Sequence, residues 1–418
     1  VFLYQKLKYE INRLDEPTTI PFPKDKVVAF DTETSGLNIP TDKPFLFVAG
    51  FENKVYYWLN KDYCKDYTFK AYAHNAKYDW HMMKNIDIDM PNLMDSKVVA
   101  RLTTYADEED GFSLEALGQK YVDDDAKFAG KVIKKHLNEI NKVRWSNAKK
   151  LVREKFGDVK ITPIFEAYSK RVQFIKDEKY QEIFDYIDTI YKYPTYKDVY
   201  DAYPDLMISY AIDDVVVLLE YLKKSLQVLD NYYEDKTILD QEQKLIEVVG
   251  NMERQGFAID INYLLNSRVK LYEYKNKLYE ELQMLTWDKI DVFTANQHKV
   301  IKNLFEKQYS ISMLSCNVDA LEQIVSKTDG EAKRVAEIII ELRTLEKWIS
   351  TYVEGMLNRV VDGKIYPSID NAGTVTGRVS SDLQQQPKEA LLDKDGNELF
   401  HPRKAFINKA NQKMYFFD

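Results

Sequence analysis

Cysteine is nearly missing from this chain. Only Cys64 and Cys316 occur in 418 residues, far apart and outside any metal-ligand spacing. That excludes a disulfide framework and favours a reducing, intracellular setting. No apolar run approaches the ~18 residues of a membrane helix, so a membrane span is not expected. No N-terminal signal pattern is present. The first residue is Val rather than Met, as in a trimmed or processed start. Internal repeats and low-complexity segments are absent too. Net positive charge is also lacking: the formal charge is −8, which taken alone argues against nucleic acid as a partner.

What is present points elsewhere. The length suits two or three domains with substantial cores, and 45% hydrophobic with 30% charged residues is ordinary for a soluble protein. Charge is unevenly spread. Residues 127–179 hold about 15 Lys/Arg against about 6 Asp/Glu, interleaved with Trp145, Phe165, Tyr168 and Phe174. Such a segment is either a solvated helical face or a surface that tracks a phosphate backbone.

Val27–Phe30 reads as a short buried strand ahead of a Ser35-Gly36 turn. Phe45–Phe51 and Val55–Leu59 read as a hairpin turning at Glu52-Asn53. Phe69–Ala73 reads as a further strand, followed by a helix through Met82-Met83. Strands followed by helices suit a mixed α/β sheet. From about 113 to 230 the pattern is mostly helical, with Ser113 as a cap and a helix opening at Asp213. Long amphipathic helices are expected over Ile261–Leu285 and Glu331–Val361, with a cap motif at Thr294-Ala295-Asn296 between them and a break at Asp362-Gly363. The last stretch reads as strands and loops: Lys364–Ile369, Thr374–Ser381 and Lys413–Asp418.

Four acids in three separated motifs carry the chemistry. Asp31 and Glu33 follow the apolar run Val27–Phe30, and residues two apart on a strand face one side. Asp79 closes Asn75-Ala76-Lys77-Tyr78-Asp79, and Asp214 closes Tyr210-Ala211-Ile212-Asp213-Asp214. Tyr210 lies one helical turn before Asp214, so both can point into one site. Converging carboxylates of this kind can hold two divalent ions about 3.5–4 Å apart, a device for cutting phosphodiester bonds. Each motif alone is a weak signal; the three in this order, on these elements, are a specific one.

In these motifs the first ~230 residues resemble the 3′–5′ exonuclease domain of the DnaQ-like, ribonuclease-H-fold superfamily, in the variant whose third motif carries Tyr. The resemblance covers Asp31–Leu37, His74–Asp79 and Tyr210–Asp214, and extends to Asp95–Leu102 and Ser113–Tyr121. It implies that Asp31, Glu33, Asp79 and Asp214 bind two Mg²⁺ (or Mn²⁺), that Tyr210 positions the attacking water, that Leu37 wedges against the terminal base and that Asn75 contacts the substrate strand. The stretch between Tyr121 and Tyr210 exceeds that of compact bacterial members by some tens of residues, so nothing carries over to the basic segment inside it.

The second half resembles family A DNA polymerases. Leu245–Asp260, with Met252-Glu253-Arg254-Gln255-Gly256, is similar to the opening of their polymerase region. Phe293–Asn296, Leu304–Lys307 and Leu342–Lys347 are similar to landmarks of the thumb. Thr376-Gly377-Arg378-Val379-Ser380-Ser381, then Leu383-Gln384-Gln385, resembles the primer-terminus motif at the start of the palm. The resemblance implies that Thr376, Arg378, Gln384 and Arg403 contact primer–template and that Asp418 is the first metal-binding aspartate of the polymerase site. A fingers helix and a second palm aspartate would have to lie beyond Asp418, and a 5′-nuclease domain has no room before residue 27. The chain is therefore expected to be the N-terminal part of a polymerase, cropped or one half of a split enzyme, with a phage origin guessed from composition.

The expected fold is thus an α/β ribonuclease-H-like exonuclease domain, then a mainly α-helical thumb, then the first strands of a palm. The expected boundaries are an arm over 1–26, exonuclease over 27–230 with a basic helical insert at 127–205, thumb over 231–362 and incomplete palm over 363–418. Expected partners are a single-stranded DNA 3′ end and primer–template duplex, dNTP in the complete polymerase, and a replisome or processivity partner, with no membrane, in the cytoplasm of the cell or phage host. A free-standing ribonuclease D-type exoribonuclease and a non-catalytic DNA-binding module are the two alternatives.

Overall fold

The computed structural model describes residues 2–23, 25–103, 111–157, 159, 161–169, 178–232, 235–287, 298–371, 373–374 and 378–408. These form two compact units, Val1–Gln255 with Tyr366–Asp382, and Gly256–Ile365 with Leu383–Asp418. The expectation for Thr376, Asp418, the Phe293–Asn296 landmark and the Lys413–Asp418 strand falls outside the described residues.

The first unit is built on a six-stranded sheet. After the short helix α1 (Leu3–Lys6), its strands are β1 (Glu10–Arg13), β2 (Val28–Thr34), β3 (Pro44–Phe51), β4 (Lys54–Trp58), β5 (Ala71–Ala73) and β6 (Leu93–Asp95), in the order β1-β4-β3-β2-β5-β6. β2, β3 and β4 are antiparallel, and β5 and β6 extend the sheet in parallel. The hairpin turns at Glu52, whose φ of 53° is left-handed. β2 runs four residues past the expected Phe30, so Asp31 and Glu33 lie within the strand.

Helices cover both faces. The further helices of this unit are α2 (Ala76–Lys84), α3 (Ser96–Thr103), α4 (Leu114–Tyr121), α5 (Phe128–Phe156), α6 (Ile161–Ser169), α7 (Glu178–Ile190), α8 (Tyr196–Ala202), α9 (Pro204–Tyr232) and α10 (Thr237–Gln255), of which α6 and α7 pack on α5 in a core of their own. Alternation along β2 sorts the faces. Val28 and Phe30 pack with Ala76, Trp80 and Met83 of α2. Ala29 packs with Ala211, Val215 and Leu219 of α9. The approach of α9 is close: a Cβ on Gly50 of β3 would lie 2.9 Å from both Val215 and Leu219. Asp214 is therefore in the middle of a long helix rather than at the head of one. Ser113 caps α4 as expected, accepting from Ala116 N at 3.2 Å.

The compact units do not follow the boundaries expected at 230 and 362. α10 belongs to the first unit because Ile246 joins the α2 side of the core and Gly250 leaves room for the Trp80 ring, 2.7 Å from where a Cβ would stand. The short hairpin β9 (Ile369–Asp370) and β10 (Ser380–Ser381) also belongs there. Its anchor is Glu253, fully buried on α10. Glu253 accepts from Ile369 N at 2.6 Å, from Lys77 Nζ at 2.5 Å and from His81 Nε2 at 2.6 Å, and Lys77 also donates to the Ile369 carbonyl.

The second unit opens with β7 (Phe257–Ala258), paired to β8 (Lys364–Ile365). Between them come α11 (Ile261–Thr286), α12 (His298–Tyr309), α13 (Val318–Lys327) and α14 (Gly330–Trp348). Asp260 caps α11 by accepting from Tyr263 N at 2.9 Å. Arg334 of α14 grips Glu281 of α11 with two bonds of 2.7 and 2.9 Å. α14 continues through a wide turn at Ile349–Glu354 into α15 (Gly355–Leu357), and the chain reverses where Asp362 and Gly363 both take positive φ. β11 (Leu391–Leu392) and β12 (Glu398–Phe400) form a second hairpin. An α/β domain followed by a mainly helical region and short strands is the expected class. No helix among the described residues is long and apolar enough to cross a membrane.

Candidate active site

Asp31 and Glu33 project from the α9 face of β2, where Asp214 meets them. Oxygen atoms of these three carboxylates all lie within 4.8 Å of one another. Three acids taken out of water side by side repel strongly in a low-dielectric setting. Burial, then the charges of Asp79 and Asp214, push Asp31 well above the usual carboxylate range. Burial, then Asp31, Asp214 and Asp79, does the same to Glu33. Burial raises Asp214 to about 7, against a hydrogen bond from Tyr210 that favours its charged form. Such an oxygen-only donor set fits a hard divalent cation.

Asp79 reaches the cluster from the other side of the sheet. It sits in the first turn of α2, and its Oδ1 accepts from both Thr32 N at 3.0 Å and Thr32 Oγ1 at 2.7 Å. Thr32 lies between the two acids of β2 and faces α2, so Asp79 is tied to the strand while its charge acts on Asp31 and Glu33. It is not one of the three grouped oxygens. Burial raises it to about 7. The neighbouring Asp213, by contrast, anchors the N-terminal helix: its Oδ1 accepts from Tyr4 N at 2.8 Å.

Tyr210 stands one turn before Asp214 on α9, as its spacing requires, and its hydroxyl is held protonated by burial and then by the charges of Asp214 and Glu33. Tyr196, at the start of α8, was not singled out from the sequence. Its ring meets that of Tyr210 edge-on, with centroids 5.7 Å apart and planes at 88°. No spacing rule links positions 196 and 210, because α8 and α9 are separated by a turn.

The expected substrate contacts among the described residues are Leu37, Asn75, Arg378, Gln384 and Arg403. Leu37 is 85% exposed at the tip of the loop that follows β2. Asp42 closes that loop, accepting from Ser35 Oγ at 2.8 Å and Asn38 N at 2.6 Å, and the Tyr78 hydroxyl donates to the Gly36 carbonyl at 2.5 Å. Asn75 precedes α2 in a left-handed conformation, φ 63°, with its N–H given to Asp95 at 3.0 Å. Its side chain lines a cavity of about 690 Å³ with Lys77, Lys97, Arg101, Ser368 and Thr374. His74 stands behind it, tied to Ser96 and the Phe112 carbonyl, and burial lowers its pKa to about 4. Arg378 is exposed and lies two residues before β10 in the first unit, whereas Gln384 and Arg403 belong to the second, where Arg403 donates to the Gln386 carbonyl at 3.4 Å.

Residues 16–149 match the 3′–5′ exonuclease family, and residues 258–418 match DNA polymerase family A. Among curated relatives, DNA polymerase I of Lactococcus lactis is 30% identical over 218 residues, covering 47% of this chain and 23% of the relative. The DNA polymerase of Escherichia phage T5 is 26% identical over 225 residues, covering 47% and 25%. The chain thus spans about a quarter of the length of the curated relatives it matches. Among solved structures, the polymerase domain of Pol1 from M. smegmatis, in complex with DNA primer-template and dNTP, superposes with a TM-score of 0.57 at 14% identity, covering 92% of this chain and 55% of that one. At that identity the likeness concerns the fold.

Proposed function

Because the chain belongs to DNA polymerase family A and carries a 3′–5′ exonuclease domain ahead of its polymerase region, we propose that its first unit is the proofreading nuclease of a replicative polymerase. The observation that carries this reading is the group of three carboxylates within 4.8 Å, Glu33 buried and Asp31 and Asp214 half-buried, with Tyr210 beside them. Asp31, Glu33 and Asp214 hold divalent ions, with Asp79 completing the set. Mg²⁺ or Mn²⁺, two per site, would supply an activated water and stabilise the leaving 3′-oxygen. Tyr210 directs its hydroxyl toward the carboxylates and orients the water. Leu37 separates the terminal base, and Asn75 holds the strand behind it. Mispaired ends fray more readily, which supplies the selectivity, and an unpaired end is held by stacking and backbone contacts.

The exonuclease domain proper is assigned to 27–230, with 231–255 and 366–382 docked on it. The rest of 231–362 is the thumb and 363–418 the start of the palm. Arg378, Gln384 and Arg403 are assigned to primer–template. Thr376 and Asp418 are assigned on sequence resemblance alone. DNA synthesis, with dNTP as substrate, is proposed for the whole polymerase of which this chain supplies these parts.

The test uses 5′-labelled DNA and RNA strands of one sequence. Mg²⁺-dependent shortening of single-stranded DNA from its 3′ end, abolished by chelation, is the expected result. A strong preference for the RNA strand would overturn the proposal in favour of an exoribonuclease.

α5 also supports a nucleic-acid partner. Its buried side carries Ile133, beside the partly buried Leu137 and Ile140, packed against α8 and α9. Its opposite side carries the exposed Lys131, Lys134, Lys135 and Lys142, which line a shallow depression with Asn138. Replacing Lys131, Lys135 and Lys142 by Gln is expected to weaken binding of a dT oligonucleotide. It should lower the slope of log K against log salt by about 2, at ~0.7 per phosphate released. Fluorescence anisotropy at several salt concentrations measures it; an unchanged slope assigns that face to solvent.

A further inference from the structure

We infer that Asp95 is a positioning residue of the exonuclease site: it holds Asn75 in the backbone conformation from which the Asn75 side chain meets the substrate strand. This rests on the reading of Asn75 given above. Asn75 stands between β5 and α2 at φ 63° and ψ 46°. That left-handed region is costly for a residue with a Cβ, even for Asn, and it persists only where the surroundings impose it. One carboxylate oxygen holds it here. Asp95 Oδ1 accepts from Asn75 N at 3.0 Å and from Lys97 N at 2.8 Å. These N–H groups stand at the openings of α2 and α3, and Asn75 and Lys97 both line the cavity of about 690 Å³. Asp95 thus sets one wall residue of that cavity against the other. It is 2% exposed and is not one of the three grouped acids. Burial lifts its pKa to about 6, against the N–H groups of Lys97 and Asn75, so at pH 8 it accepts as a carboxylate.

Asp95 is itself held. It ends β6, the last strand of the sheet, and pairs with Ala73 of β5, two residues before Asn75. On the Asp95 backbone the Gln243 side chain of α10 takes the place of a neighbouring peptide. Gln243 Oε1 accepts from Asp95 N at 2.6 Å, and its Nε2 donates to the Asp95 carbonyl at 3.0 Å. A side-chain amide offers the same acceptor and donor as a peptide, so it satisfies a strand edge that would otherwise stand open. The path Gln243–Asp95–Asn75 therefore runs from α10, beyond the span 27–230, to the substrate side of the site.

The experiment measures kcat and KM on single-stranded DNA with Mg²⁺ at pH 8 for Asp95→Asn, Asn75→Gly and the double variant. Asp95→Asn keeps the shape and an acceptor oxygen but loses the charge that strengthens both bonds. The expected result is a rise in KM of about threefold. The value of kcat and the Mg²⁺ concentration for half-maximal rate stay as in the wild type, whereas a general loosening of the unit would shift them too. Asn75→Gly keeps the left-handed backbone and removes the side chain. It should raise KM at least as far, and Asp95→Asn should add nothing in that background. Hydrogen exchange at the Asn75 N–H, expected to accelerate in Asp95→Asn more than exchange in β2, reads the same bond without substrate. Wild-type KM or wild-type Asn75 exchange in Asp95→Asn overturns this inference alone, as does a KM rise that persists in full on Asn75→Gly. Wild-type KM in Asn75→Gly overturns the reading of Asn75, and Asp95 with it.

Discussion

Replacing Asp31 and Glu33 together by Ala is expected to slow 3′-end hydrolysis by about 10⁴-fold or more, while making the metal-free protein more stable. The rate follows from losing two of three grouped ligands, when removal of a single preorganised electrostatic group typically costs about 10²–10³. The stability follows from the carboxylate shifts. An acid whose pKa is raised by folding binds more protons folded than unfolded, so stability falls as pH rises through that interval. For Asp79 and Asp214 the interval runs from 3.8 to about 7. Chelated wild-type protein should therefore melt at a lower temperature at pH 8 than at pH 5, and the double variant should show a flatter dependence. Added Mg²⁺ should raise the wild-type midpoint more at pH 8 than at pH 5, because bound cations require the deprotonated form. Thermal melts in chelator and in Mg²⁺, run beside the digestion assay, check all of this. Parental digestion by the variant would remove Asp31 and Glu33 from the site. Equal wild-type midpoints at the two pH values in chelator would remove the charge account. Such a site is a strained element kept for function.

The grouping of Asp31, Glu33 and Asp214 was legible because it is local. Asp31 and Glu33 share a strand face by period two, and Tyr210 and Asp214 share a helix face by one turn; both relations are written in spacing. Asp79 was expected beside the other acids, but it stands outside their group, tied to Thr32, since which sheet face α2 covers depends on where Trp80 and Met83 find a core. The contact of Tyr196 with Tyr210 and the closing of the Leu37 loop by Asp42 were not legible, because each is made across a turn. In the second unit the helix read over Ile261–Leu285 is α11, Ile261–Thr286, whereas the run read over Glu331–Val361 is α14 to Trp348, then the wide turn and α15 to Leu357. Their apolar stripes and the Asp260 cap are sequence-local signals. The boundary at 230 was drawn where composition turns helical, but composition does not say which core a helix joins. α10 joins the first unit through Ile246, Gly250 and Glu253.

Glu253 carries the second large effect. Glu253→Ala is expected to destabilise the first unit by about 3–5 kcal/mol, the cost of breaking a buried pair by removing one partner. Glu253 is fully buried; despite that burial its pKa is held below the usual range by the hydrogen bonds of His81, Lys77 and Ile369 N–H. Without the carboxylate, Lys77 is left as a charge in a setting only 8% exposed, and the Ile369 N–H loses its acceptor. Burial keeps His81 below its ordinary pKa, so it meets Glu253 as a neutral ring donating from Nε2. Its Nδ1 is then an acceptor without a hydrogen-bond partner among the described residues. The pair of charges is Lys77 and Glu253, and His81 is the neutral third member. Glu253→Gln should cost less than Glu253→Ala, because an amide oxygen still accepts from Lys77 or Ile369. Lys77→Met combined with Glu253→Leu should recover much of the loss, since no buried charge is then left alone. The local consequence separates this account from general destabilisation. Ile369 is held at both its N–H and its carbonyl by this cluster, and β9 has only a two-residue partner in β10. Hydrogen exchange at Ile369 in Glu253→Gln should therefore accelerate more than exchange in β2 or β3 of the same unit. Uniform acceleration across the unit would mean that Glu253 supports the α2–α10 core and not the hairpin that leads to Arg378.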